Sequence, residues 1–299
     1  MLRRLGPDTW NIIGPNRTKV LIHASDAHRL DAPEKYEQIP RDLAVEKLRL
    51  KVQLACAALF NIGFVQWHHV CFPVLNCHSC PISLFSCPIG VIGKFAEIGL
   101  VPLSVIGLMA VGGLVAGRLL CGWACPFGFL QELLYKIPFP KFTMPSWTRF
   151  IKYGVFVALV VLVPVFLSTA SQLYFCRLCP VATIESAIPW AIISGTTNAV
   201  SLSIRLAILF GIVMVAMAHR RFFCKVICPL GACLSLMNRF AAIFPERNVD
   251  CIECGTCSKV CPMGAGREND GFGAFDEKTE ECISCLECQK KCPTSAINI

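Results

Sequence analysis

Most of the 20 cysteines in this 299-residue chain fall in runs whose spacing belongs to metal-cluster ligands. Cys251-Ile-Glu-Cys254-Gly-Thr-Cys257-Ser-Lys-Val-Cys261-Pro262 and Cys282-Ile-Ser-Cys285-Leu-Glu-Cys288-Gln-Lys-Lys-Cys292-Pro293 are tandem copies of C-x2-C-x2-C-x3-C-P. In such a run three thiolates on a tight loop hold three irons of a [4Fe–4S] cluster. The fourth cysteine, turned away by the proline, reaches the other cluster. The spacing therefore assigns Cys251, Cys254, Cys257 and Cys292 to one cluster, and Cys282, Cys285, Cys288 and Cys261 to the second. Zinc also takes four thiolates, but zinc sites rarely carry this run twice in tandem.

A second group of cysteines comes in matched pairs. Cys121-Gly-Trp-Ala-Cys125-Pro126 is answered 103 positions later by Cys224-Lys-Val-Ile-Cys228-Pro229. Cys77-His-Ser-Cys80-Pro81 is answered 99 positions later by Cys176-Arg-Leu-Cys179-Pro180. If the two halves are related by an axis, Cys121, Cys125, Cys224 and Cys228 meet at one end, and Cys77, Cys80, Cys176 and Cys179 at the other. Each set offers four thiolates, the complement of a [2Fe–2S] or [4Fe–4S] cluster. The bland alternatives are disulfides or exchange thiols for the Cys77 set and redox-active dithiols or buried small residues for the Cys121 set. Cys87, in Ser86-Cys87-Pro88, has no partner in the repeat and reads as a spare ligand or as packing. Cys56, Cys71 and Cys233 read as apolar filler.

The elements that position these residues are apolar. The chain is 55% hydrophobic and 16% charged, against about a quarter charged in a soluble domain. Four segments, 52–72, 96–119, 151–170 and 200–217, approach the ~20 residues that cross a bilayer. The expected architecture is an all-α polytopic membrane domain of four transmembrane helices, in two parallel hairpin repeats, followed by a small α+β ferredoxin domain for two [4Fe–4S] clusters. The corresponding divisions are a polar amino-terminal segment (1–48), the membrane domain (49–245, repeats 49–140 and 148–240) and the ferredoxin domain (246–299).

Charge sets the expected orientation. The segment 118–152 carries five basic residues against the single acid Glu132, whereas the other inter-span segments are nearly uncharged. Positive-inside bias places that segment and both termini in the cytoplasm of a bacterial or archaeal cell, with the Cys121 set at the inner face and the Cys77 set at the outer face of a multi-pass membrane protein. The polar stretch before the first apolar segment reads as retained rather than as a cleaved signal. Basic residues flank the spans, so the net charge of +8 is topology information rather than a nucleic-acid footprint.

Other polar residues carry weaker signals. His68 and His69 near the end of the first segment are candidates for accepting a quinol proton or act as interfacial anchors. Glu132 is a candidate proton relay, a partner for Arg118, or part of a solvated helix face. Trp67, Trp123 and Trp147 read as an aromatic belt. Haem is not expected: His219 and the histidine pair face no second ligand helix, and no C-x-x-C-H run occurs.

Together, Cys121–Cys125–Pro126, Cys224–Cys228–Pro229 and the carboxy-terminal double run resemble the NapH/NosR-type membrane-bound [4Fe–4S] ferredoxins, over roughly residues 50–299. That resemblance implies a quinol dehydrogenase membrane component passing electrons between membrane quinone and a redox partner, an iron–sulfur or cytochrome subunit. The C-x-x-C-P pairs of the Cys77 set depart from the nitrate-system pattern of that family. Two further readings stand beside it: a thiol–disulfide carrier moving reducing equivalents outward, and a cluster-based redox sensor or assembly factor. Any transmembrane wire faces a hydrocarbon core about 30 Å thick between clusters at its two faces.

Overall fold

The computed structural model describes residues 41–61, 71–81, 83–142, 144–195, 198–247, 251–252, 254–264 and 280–298, and the backbone of three strands nearer the start. Those strands, Arg3–Gly6, Thr9–Ile13 and Lys19–His23, form an antiparallel sheet in sequential order. The remainder is mostly helical.

Two helices, Trp147–Leu167 and Ala199–Ala218, are long and apolar enough to cross a membrane. The core helix of a soluble protein would pass the same test while buried, yet only 17% and 6% of these two apolar windows are buried inside the protein. Their exposed side chains include Phe166, Val200 and Phe210. The first helix carries a π segment at Phe156–Leu162. Pro164 lies just beyond it, without an N–H and with a ring that crowds the carbonyl four residues back. The wider π turn accommodates that conflict without ending the helix. The same device recurs at Thr183–Ala187, ahead of Pro189.

The other two apolar segments are not single straight helices. The first begins within helix Arg41–Phe60, and residues 62–70 lie outside the described residues. From Cys71 the chain folds back on the helix end: Leu84 N–H donates to Phe60 O at 3.0 Å, and Cys71 bridges Ser86. The second segment is split into Pro88–Glu97 and Leu103–Ala116. Gly99 takes a positive φ of 71° between them, and Pro102 caps the second piece.

Four helical stretches begin with a Cys-Pro pair: Pro88–Glu97, Pro126–Tyr135, Pro229–Asn238 and the one starting at Pro180. Proline pushes the preceding residue out of the helical region and itself suits the first helical position. Cys87, Cys125, Cys179 and Cys228 are accordingly extended, with ψ of 125°, 116°, 126° and 112°. Each sulfur is thereby set beside the free N–H groups of a first helical turn. Near the carboxy end, strand Glu246–Arg247 pairs antiparallel with Ile297–Asn298, closing the ferredoxin-type segment on itself.

Candidate iron–sulfur sites

The Cys121 set is built by two short helices, Leu119–Trp123 and Phe222–Val226, each followed by its Cys-Pro helix. All four thiols are buried and near enough to influence one another electrostatically. Gly231 N–H donates to Cys228 Sγ at 3.3 Å, Gly128 and Leu75 N–H groups donate to Cys125, and Gln131 Nε2 donates to Cys224 Sγ at 3.1 Å. Gln131 is itself held, accepting from Phe223 N–H at 3.0 Å.

Two arginines lock the halves together. Arg118 Nη2 donates to Cys224 O at 3.3 Å, and Arg221 Nη1 donates to Cys121 O at 2.8 Å. Each arginine stands three residues before the first cysteine of its own motif and reaches the other's. Both side chains are fully buried, so each needs a carboxylate. Arg221 takes Glu132 at 2.8 Å, which Arg49 also meets. Arg118 takes Glu281 at 2.7 Å, and Lys152 meets the same carboxylate. Glu132 therefore pairs with Arg49 and Arg221; pairing with Arg118 is one of three readings the sequence leaves open. Burial alone would raise both carboxyls, but the flanking cations outweigh it and hold Glu132 and Glu281 below the usual range.

The ferredoxin-type loop 282–285 rests directly on this set. Trp123 Nε1 donates to Ser284 O at 2.9 Å, and Asn238 Nδ2 donates to Cys282 O at 3.0 Å. Trp123 is thus a docking residue, whereas Trp147 is 63% exposed. Within the loops, Cys261, Cys282, Cys285 and Cys288 interact electrostatically as one group. Cys251, Cys254 and Cys257 form another, and Cys254 is exposed. Cys292 accepts from Ala296 N–H at 3.4 Å.

Around the Cys77 set, Cys80 and Cys176 both interact electrostatically with Cys77. A small, partly open cavity is lined by Cys77, Cys87, Cys176 and Cys179. Cys80 is buried in the adjoining turn, its N–H donating to Cys77 O at 3.2 Å, and is not among the lining residues.

The donor chemistry suits iron–sulfur clusters. Burial pushes the thiols of Cys77, Cys125 and Cys282 up to about 12, so a thiolate there requires a compensating cation. Among the described residues no three cysteine, histidine or acidic side chains converge tightly enough for a single metal ion.

Comparison with known proteins agrees on the cluster type. A family model described as a 4Fe-4S binding domain matches residues 98–145 and again 204–247, and one described as a 4Fe-4S dicluster domain matches 246–293. The uncharacterized protein MJ0750 of Methanocaldococcus jannaschii is 31% identical over 60% of this chain and 74% of its own length. The methylamine utilization ferredoxin-type protein MauN of Methylobacillus flagellatus is 26% identical over 56% of this chain and 57% of its own length. The putative electron transport protein YccM of Escherichia coli is 24% identical over 58% and 49%. Protein NirI and regulatory protein NosR match as well. The chain belongs to the NapH/NosR-type ferredoxin-like electron-transport proteins. No solved structure matches. The chain spans only about half the length of MauN and YccM.

The doubled family match covers both C-x-x-x-C-P motifs and both arginines, and it stops short of the Cys77 set. The shared role of Arg118 and Arg221 has a sequence signal: R-x-x-C-x-x-x-C-P recurs in both halves, and aligning the repeats exposes it. The sequence leaves Cys87 unassigned, although Cys87-Pro88 repeats the Cys-Pro dipeptide of the other helix starts. His68, His69 and Trp67 lie outside the described residues. His219 Nδ1 lies 3.1 Å from Phe142 O. Cys71 packs in the core, with Cys233 against it, and Cys56 packs against a smaller cluster.

Proposed function

We propose that this chain is a membrane-bound iron–sulfur electron-transfer subunit, passing electrons between the quinone pool and a redox partner, an iron–sulfur or cytochrome protein. In this reading Cys251, Cys254, Cys257 and Cys292 hold one [4Fe–4S] cluster, and Cys261, Cys282, Cys285 and Cys288 the other. Cys121, Cys125, Cys224 and Cys228 hold a further cluster at the cytoplasmic side of a four-span, two-repeat membrane domain. When bound, such clusters supply one-electron redox chemistry.

The observation that carries the reading is the seating of loop 282–285 on helix Leu119–Trp123. The helix presents Gly122 and Trp123 to the loop, and the thiols of Cys121 and Cys282 lie in segments that touch. Gln131 and the first-turn N–H groups orient the sulfurs, and Arg118 and Arg221 place fixed positive charge beside a site that is negative when loaded. Cys254, the exposed cysteine of the first run, is where a soluble partner would collect or deliver electrons.

The test is anaerobic mixing of reduced menaquinol or ubiquinol with the purified protein in lipid nanodiscs, following cluster absorbance and electron paramagnetic resonance. Quinol-dependent reduction is expected. Clusters that respond to dithionite but to neither quinol nor quinone would contradict the quinone assignment.

A further inference from the structure

The cavity at the Cys77 set goes beyond that reading, because it is a second membrane-domain site that no family match covers. Its four lining thiols come from three separate stretches of chain. Cys77 arrives on the loop that folds back after Cys71, Cys87 heads helix Pro88–Glu97, and Cys176 and Cys179 flank the turn before Pro180. Four thiols from the two halves of the chain line one space, which is not what filler cysteines do.

Cys87 and Cys179 occupy equivalent positions. Both precede proline, both are extended, and both accept hydrogen bonds from the next turn: Cys87 from Ile89 and Gly90 N–H, Cys179 from Ala182 N–H. Cys125 and Cys228 are held in the same way by Gly128 and Gly231. The partner of Cys179 in the first half is therefore Cys87. Among the described residues Cys80-Pro81 starts no helix; Cys80 interacts electrostatically with Cys77 but does not line the cavity.

The surroundings fit a bound anion of low charge density. Ile89, Phe175 and Val181 supply apolar walls, and Arg205 interacts electrostatically with Cys77. Tyr174 hydrogen-bonds the Cys176 thiol, while Glu185, accepting from Cys77 N–H at 2.7 Å, is the carboxylate that opposes negative charge on Cys77. Gly93 leaves room for the Tyr174 ring and Gly90 for His78, since a Cβ at either position would overlap those side chains.

A connection to the Cys121 set is built in. Leu75 N–H donates to Cys125, and Leu75 also lines the cavity. Cys77 is two residues further on, a span of at most about 7 Å of chain. Residues of both sites belong to one hydrophobic core.

We propose that Cys77, Cys87, Cys176 and Cys179 bind an iron–sulfur cluster with all-cysteine ligation, adjoining the Cys121 site. Loading a preformed cluster forms four Fe–S(Cys) bonds and releases one proton from each thiol. Both [2Fe–2S] and [4Fe–4S] clusters satisfy this ligand chemistry.

The experiment compares the full-length wild type with Cys87→Ser, Cys176→Ser and Cys80→Ser, purified anaerobically in detergent. Iron, acid-labile sulfide and Mössbauer spectra are measured per polypeptide. Cys87→Ser and Cys176→Ser are expected to lose about 2 irons if the cluster is [2Fe–2S], or about 4 if it is [4Fe–4S]. Cys80→Ser is expected to keep the wild-type content. Ferredoxin-type resonance signals should persist in all three, which separates failure at this site from failure of the proposed function. Loss of iron in Cys80→Ser alone, or unchanged iron in both Cys87→Ser and Cys176→Ser, overturns the proposal. Should the variants not fold, non-reducing peptide mapping of the wild type decides. A stoichiometric disulfide within the set overturns the assignment, and protection of all four thiols from alkylation until iron is removed upholds it.

Discussion

Gly122 leaves open the space that the carbonyl of Ile283 occupies, and a Cβ on residue 122 would fall on that oxygen. A backbone carbonyl cannot swing aside as a side-chain tip can. Glycine is therefore the residue that lets the second ferredoxin-type loop lie directly on the helix carrying Cys121. Gly122→Ala is expected to destabilise the docked loop by about 1–3 kcal/mol, the usual cost of overpacking. Hydrogen exchange of residues 282–285 reads this locally. Unchanged protection there would mean the loop is not held where the structure places it.

Glu281 stands between Arg118 and Lys152, whose side chains are both fully buried. Glu281→Gln leaves two buried cations without their carboxylate, a loss of about 3–5 kcal/mol. Pairing it with Arg118→Met should recover part of that loss, because one of the stranded charges is gone. Denaturant unfolding of the single and double variants measures the coupling, and strict additivity would contradict the ion pair.

The same carboxylates set a pH dependence. Glu281 and Glu132 are held below the ordinary value of about 4.3 by their arginine and lysine partners. Their folded-state values lie below the unfolded ones, so their stabilisation is fully present above about pH 4.3 and is lost as pH falls through the folded values. Stability should rise with pH across that acid window, and Glu281→Gln should flatten the rise. A slope equal to wild type in that variant would show that Glu281 is not the responsible group.

Gln131 touches Cys224 sulfur on one side and Phe223 N–H on the other. Gln131→Leu removes both, leaving a buried N–H without a partner at a cost of about 1–3 kcal/mol. It should also shift the potential of a cluster held by Cys224, since hydrogen bonds to ligating sulfur tune it. A redox titration separates the two effects: loss of stability with an unmoved potential would assign Gln131 a packing role only.

The sequence carried the cysteine motifs and two of the helices plainly, because Cys-Pro spacing and unbroken apolar runs are local properties. Val200–Met217 and Ile151–Ala170 lie within one or a few residues of the helices observed. Gly99 and Pro102 break the apolar run across 96–119, which composition alone makes long enough for one span. What the sequence concealed was long-range. That the chain after Cys71 folds back beside Phe60, bringing Leu75 to Cys125, depends on contacts between segments some 50 residues apart. The choice of Glu132 by Arg221 and of Glu281 by Arg118 is likewise a tertiary outcome, since several carboxylates and cations were available to each.

The central claim is that the thiols of Cys121, Cys125, Cys224 and Cys228 form a redox site joined to the ferredoxin clusters. Iron and acid-labile sulfide per polypeptide, determined on anaerobically purified protein beside Cys224→Ser, test it most directly. About 12 to 16 of each are expected in the wild type, and a loss of about 2 to 4 irons in the variant. About 8 of each in both proteins would confine the clusters to the double run and contradict it.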